Sequence, residues 1–69
     1  MAGNTTRPGV SVSSRLLALL AAFDPDHRRL TLTELARRAD VPLTTTHRLV
    51  RELVSWGALA PAPSGGYVV

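Results

Sequence analysis

The chain has 69 residues, enough for one small domain with a thin core, because a chain this short buries only about 60% of the surface its unfolded form exposes. It has no cysteine, which excludes a disulfide framework and any thiolate metal site and suits a reducing cytosol, so the remaining source of extra stability is oligomerisation. The net charge is +3 and every cation is arginine, the side chain best suited to bidentate contact with phosphate and guanine. That charge is concentrated: from Arg28 to Arg51 six arginines stand against only Glu34 and Asp40, a local excess of four.

In chain order, residues 1–9 (MAGNTTRPG) are polar and broken by Pro8 and Gly9. They are expected to form a flexible arm with Arg7 as its only charge, ahead of a single domain over residues 10–69. From Val10 to Phe23, serines able to cap a helix lead into strong helix formers. At about 100° per residue, Val12, Leu16, Leu19, Leu20 and Phe23 fall on one stripe, which predicts a first helix facing the core.

The opposite side of that helix carries Leu17, Ala18 and Ala21 where a monomer would normally place charge. Two explanations stay open: burial against a second copy, or ordinary surface alanines with one stray leucine. The apolar run Leu16 to Phe23 is too short to cross a bilayer and follows a serine-rich lead-in, so neither a spanning helix nor a secretory signal is expected.

Asp24 to Arg29 (DPDHRR) is a turn, with Pro25 stopping the helix and Asp24 and Asp26 favouring local side-chain to backbone bonds. A very short strand can follow at Leu30 to Leu32. Thr31 stands three residues before Glu34, a capping-box spacing that predicts a second helix over Leu32 to Ala39. Its inner side is Leu32, Leu35, Ala36 and Ala39; Arg37 and Arg38 look outward.

Pro42 disfavours helical geometry at Val41 but fits the first turn of a new helix, so a third helix is predicted from about Pro42 to a stop at Gly57. Thr46, Leu49, Val50 and Leu53 share its inner side. Thr44, Arg48, Arg51 and Ser55 share the outer side, flanked by Thr45 and His47. Beyond Gly57, ALAPAP and GYVV, separated by Ser64, Gly65 and Gly66, read as a β-hairpin, with Pro61 and Pro63 at an edge or in the loop. Trp56 and Tyr67 are read as packing residues, at the core edge and over the hairpin.

Three helices followed by a hairpin give a mainly α fold with the element order of a winged helix-turn-helix, whose last helix enters the DNA major groove. A groove-entering helix needs short side chains that hydrogen-bond to phosphate or base edges and can touch a thymine methyl, which explains consecutive threonines despite their modest helix propensity. Thr44 and Thr45 lie at the electropositive first turn. Arg48 has the reach and planar fork for guanine, while Arg51, Arg37 and Arg38 suit phosphates.

The competing account treats these arginines as a solvated face laced by Glu34–Arg38 and Arg48–Glu52 pairs, on a winged helix used only for dimerisation. His27 and His47 are the only histidines and lack partners for a metal site; His47 suits a phosphate contact or packing beside the arm, and His27 decorates a turn. No nucleophile, acid–base pair or phosphate loop can be assembled, so neither an enzyme nor a cofactor is expected.

The stretch LTLTELARRADVPLTTTHRLVRELVSWGAL, together with Gly66-Tyr67, resembles the N-terminal DNA-binding domain of the IclR family of bacterial transcription regulators. The most specific parts are Leu32 to Ala36, the Pro42-x-Thr44-Thr45-x-His47-Arg48-Leu49 run, Leu53 and Gly57. The resemblance implies a recognition helix reading duplex DNA through Thr44, Thr45, His47 and Arg48, and dimers or tetramers on palindromic operators. It implies pairing through the first helix, at Leu17, Ala18 and Ala21, in a cytoplasmic protein. A small-molecule effector would act only through a C-terminal sensing domain, so this chain is expected to be an N-terminal fragment. Leu43 departs from the polar residue common at that position. The wing, APAPSGG, departs from the usual charged one: no cation lies between Ser55 and Val69, so the wing is expected to add shape or backbone contacts.

Overall fold

The computed structural model of the protein describes residues 11–69. α1 (Val12–Ala21) is capped by Ser11, whose hydroxyl accepts from the Ser14 N–H at 3.0 Å. The helix ends two residues before the expected Phe23, in a tightened turn where the Ala22 and Phe23 N–H groups donate to the Leu19 and Leu20 carbonyls, both at 3.3 Å. Leu19 is fully buried, and Leu16, Leu20 and Phe23 pack at the margin of the core. Val12, expected on the inner stripe, is 55% exposed. It lies about 10 Å up the axis from Leu19 at roughly 1.5 Å per residue, toward the exposed N-terminal end of the helix.

In the Asp24 to His27 turn the two residues exchange backbone hydrogen bonds, and the Asp26 N–H donates to Asp24 Oδ1. β1 (Arg29–Leu30) starts and stops earlier than expected because Thr31 leaves the strand to cap the next helix. α2 (Leu32–Ala39) has the predicted bounds and the complete capping box: Glu34 Oε1 accepts from the Thr31 N–H at 2.8 Å, and Thr31 Oγ1 from the Glu34 N–H at 3.2 Å.

α2 ends at Asp40, which occupies the left-handed region at φ 58°. That conformation turns the chain so that the Val41 N–H donates back to the Ala36 carbonyl at 3.0 Å and buries the Val41 side chain. Pro42 follows at the N-cap of α3 (Leu43–Ser55). Thr46, Leu49, Val50 and Leu53 are buried, as the periodicity predicts, and the last three meet Leu19, Leu30, Leu35 and Leu59 in one core. The third threonine of the run is thus structural: Thr46 Oγ1 is buried and donates to the Val41 carbonyl at 3.3 Å.

Trp56 is not a core-edge residue, being 84% exposed. Gly57 takes φ 83°, the Gly57 and Ala58 N–H groups cap the Val54 and Leu53 carbonyls at 3.0 and 2.8 Å, and this reversal delivers Leu59 to the core in its place. β2 (Ala60–Pro61) and β3 (Tyr67–Val68) form the expected hairpin, with β2 at the edge where Pro61 needs no ladder partner. β1 adds to the other side of β3, giving the order β1-β3-β2. Tyr67 is half-buried and packs on the core.

Replacing Thr31 by alanine removes the cap of α2 and is expected to cost about 1 kcal/mol, a fall in Tm of roughly 4–8 °C for a domain of this size, read by circular dichroism. The Thr31 N–H holds the Glu34 carboxyl below its ordinary value of 4.5. A depressed carboxyl contributes stability above that pH and loses it as pH falls through the folded value. The gap between wild type and Glu34→Ala, which removes the carboxylate that accepts from the Thr31 N–H, should therefore narrow in acid; a gap constant with pH would exclude the Glu34 charge from the cap's effect.

Candidate nucleic-acid interface

Because α3 is held by one face, its other face is fixed in direction. Thr44, Arg48, Arg51 and Ser55 are exposed, as is His47, while Thr45 is half-buried. From Thr44 to Ser55 the face runs about 16 Å at roughly 1.5 Å per residue, compatible with a major groove about 12 Å wide. Among the described residues, Arg48, Arg51 and His47 make no hydrogen bond or ion pair through their side chains. The Arg48–Glu52 and Glu34–Arg38 pairs of the competing account are not formed: Glu34 is engaged with Thr31 instead.

The first turn of α3 has no side-chain cap, since Pro42 offers none. Its leading N–H groups therefore remain donors for an incoming anion. Leu43 is exposed beside them.

Arg37 and Arg38 diverge despite being neighbours. Arg37 is exposed, without a side-chain bond among the described residues. Arg38 folds back onto α1: Nε donates to the Ala22 carbonyl at 2.9 Å and Nη2 to Asp24 Oδ2 at 3.1 Å. Asp24 Oδ1 also meets His27 Nδ1 at 2.8 Å, and this hydrogen bond is the main cause holding the Asp24 carboxyl below its usual range. His27 thus closes the turn that Arg38 ties to α2. Sequence periodicity could not find this, because the carbonyl that Arg38 reaches is sixteen residues away. Arg7 lies outside the described residues.

The wing stands beside α3, and Val50, Arg51, Val54, Ser55, Pro61 and Tyr67 line one shallow groove between them. On α1, Leu17 is 65% exposed and Ala21 is exposed with it, while Ala18 is half-buried. No three His, Cys, Asp or Glu side chains come together as a metal-binding group among the described residues. No described helix is long and apolar enough to cross a membrane.

A three-helix core whose last helix projects a hydroxyl and guanidinium face beside a β-wing defines a winged helix-turn-helix, the architecture of DNA-binding transcription regulators. The model of the IclR helix-turn-helix domain matches residues 13–63, and the chain belongs to that family. Among solved structures, an IclR homologue from Microbacterium hydrocarbonoxydans in complex with 4-hydroxybenzoate is similar at 32% identity and a TM-score of 0.81, covering 86% of this chain and 25% of that one. A homologue from Microbacterium sp. strain HM58-2 gives the same values. An IclR-family transcriptional regulator from Rhodococcus sp. is similar at 29% identity and a TM-score of 0.81, covering 100% of this chain and 27% of that one. The chain thus spans about a quarter of the length of these solved relatives. No curated protein matches it. The family is one of transcription regulators, not enzymes.

Truncating Arg38 to alanine is expected to lower stability by about 1 kcal/mol, mainly through the orphaned Ala22 carbonyl; the exposed ion pair with Asp24 adds little. The salt dependence of DNA binding should be unchanged. A shallower salt slope with unaltered Tm would instead assign Arg38 to phosphate.

Proposed function

We propose that the domain reads duplex DNA in a sequence-specific manner, with α3 lying in the major groove. The observation that carries this reading is the outward face of α3: Thr44, Arg48, Arg51 and Ser55 are exposed while Thr46, Leu49, Val50 and Leu53 lock the opposite face into the core. Thr44 and Thr45 lie where the helix begins, and their short side chains let its backbone and free N–H groups approach the duplex. Arg48 makes the main base contact, bidentate to guanine O6 and N7. Arg51, Arg37 and His47 take phosphates. Arg38, committed to α1 and Asp24, acts as a strut. An arm contact by Arg7 belongs to the same proposal.

Two copies pairing through the α1 face at Leu17, Ala18 and Ala21 present two such helices to a palindromic operator. The exposed Leu17 side chain supports this pairing, because a large apolar group on a small domain is costly to leave in water. The small-molecule effector acts through the portion of the longer relatives that this chain does not span. The place of work is the bacterial cytoplasm. The second reading, a dimerisation module with solvated arginines, leaves the unpaired Arg48 and Arg51 without a role.

Fluorescence anisotropy with a labelled generic duplex tests the function. Binding at low salt that collapses at moderate salt is expected; flat anisotropy at low salt favours the dimerisation module. Selection from a random duplex library then gives the half-site, and Arg48→Ala should cost about 1–3 kcal/mol on it and relax preference at one G·C pair. Equal weakening on all sequences would move Arg48 to the phosphates.

Leu17→Glu, at an exposed position, should leave the circular dichroism melt intact and reduce binding of a two-half-site duplex to that of two independent half-sites. Undiminished cooperative binding by this variant would remove α1 from the interface.

A further inference from the structure

The wing carries no cation of its own between Ser55 and Val69, but the fold lends it one. β1 lies against β3 with Arg29 opposite Val68, and the Arg29 side chain runs along the sheet to the wing turn, where Nη1 donates to the Gly65 carbonyl at 2.8 Å. The turn is closed by its own backbone bonds, from the Ala62 N–H to the Gly66 carbonyl at 2.9 Å and from the Gly65 N–H to the Ala62 carbonyl at 3.0 Å, and Arg29 adds a side-chain anchor to it. Gly66 has φ 74°, and a Cβ there would lie 2.8 Å from the Leu30 carbonyl oxygen and 3.3 Å from Arg29 Nη1. A side chain at Gly66 would thus clash with the Leu30 carbonyl and force the turn away from β1.

We propose that Arg29 is the DNA-contacting cation of the wing, neutralising a backbone phosphate beside the segment read by α3. A guanidinium has five N–H donors and Gly65 engages one of them, so on this exposed side chain the charge and the other donors face solvent. The acidic group near it is Glu34, whose carboxylate is occupied by the Thr31 N–H; no ion pair joins Glu34 to Arg29. The groove lined by Arg51, Ser55, Pro61 and Tyr67 sets β2 and β3 beside α3, and under this assignment a duplex on α3 extends across this sheet to the turn that Arg29 holds. Anchoring by Gly65 also restricts a long side chain before binding, which lowers the ordering entropy that a phosphate contact costs. This assignment rests on the duplex-reading function of α3.

The test is a salt series of anisotropy titrations on wild type, Arg29→Gln and Arg29→Lys. Glutamine keeps an N–H donor for Gly65 and removes the charge. Each phosphate neutralised contributes about 0.9 to the slope of log K against log salt, so Arg29→Gln should reduce the slope by about 0.9 while keeping the base preference set by α3, and Arg29→Lys should restore it. A slope equal to wild type in Arg29→Gln overturns the proposal and leaves Arg29 as a strut for the turn. If glutamine loosens the wing, lysine decides: recovery of the slope supports the phosphate contact, and a slope still reduced in a folded Arg29→Lys overturns it. Failure of the wild-type chain to bind duplex at low salt would remove the reading of α3 and this one with it, whereas an altered slope in Arg51→Ala alone removes only the role of Arg29.

Discussion

The direction in which α3 faces is the constraint on which everything else rests. Thr46 and Val50 are fully enclosed, and Leu49 and Leu53 lie beside them, so rotating the helix by even one residue, about 100°, would pull this stripe out of contact with Leu19, Leu30, Leu35 and Leu59. Removing side chains of this size from a core costs a few kcal/mol each, a large share of the stability of so small a domain. The arginine and threonine face is therefore set by hydrophobic packing on the other side of the helix. The polar residues need no contact with their own domain to be aimed.

The sheet uses a different economy. Its strands are two residues each, too short to be stable alone, and they persist because β1 and β2 both pair with β3 while Leu30, Leu59 and Tyr67 pack on the helices. The two glycines of the turn adopt positive φ, and one of them is pressed against the Leu30 carbonyl. The wing is accordingly a fixed shape joined to the helical core through β1, rather than a loose flap.

Most of the helical framework was legible in the residues. Thr31 and Glu34 marked the start of α2, Pro42 and Gly57 bracketed α3, and the three-to-four residue rhythm separated Thr46 from Thr44 correctly. What remained hidden involved partners remote in sequence. Arg38 is exposed, as the helical wheel placed it, but a wheel has no knowledge of the Ala22 carbonyl to which it is bonded. The attachment of β1 to β3 was missed because a two-residue strand has no period to detect. Val12 obeyed the periodic rule, yet periodicity does not report where along a helix the core ends. Trp56 misled for the opposite reason: its bulk suggested burial, but the left-handed turn at Gly57 passes the inward position on to Leu59.

That displaced indole alters how the molecule is observed. The chain has a single tryptophan, and it is already in water in the native fold. Its emission maximum is consequently almost blind to whether the helices are assembled, and a flat intrinsic-fluorescence trace during heating says nothing about the core. The same blindness makes the residue a clean reporter of the outside: a shift toward shorter wavelength marks something coming to rest on the end of α3, with no background from the protein's own melting.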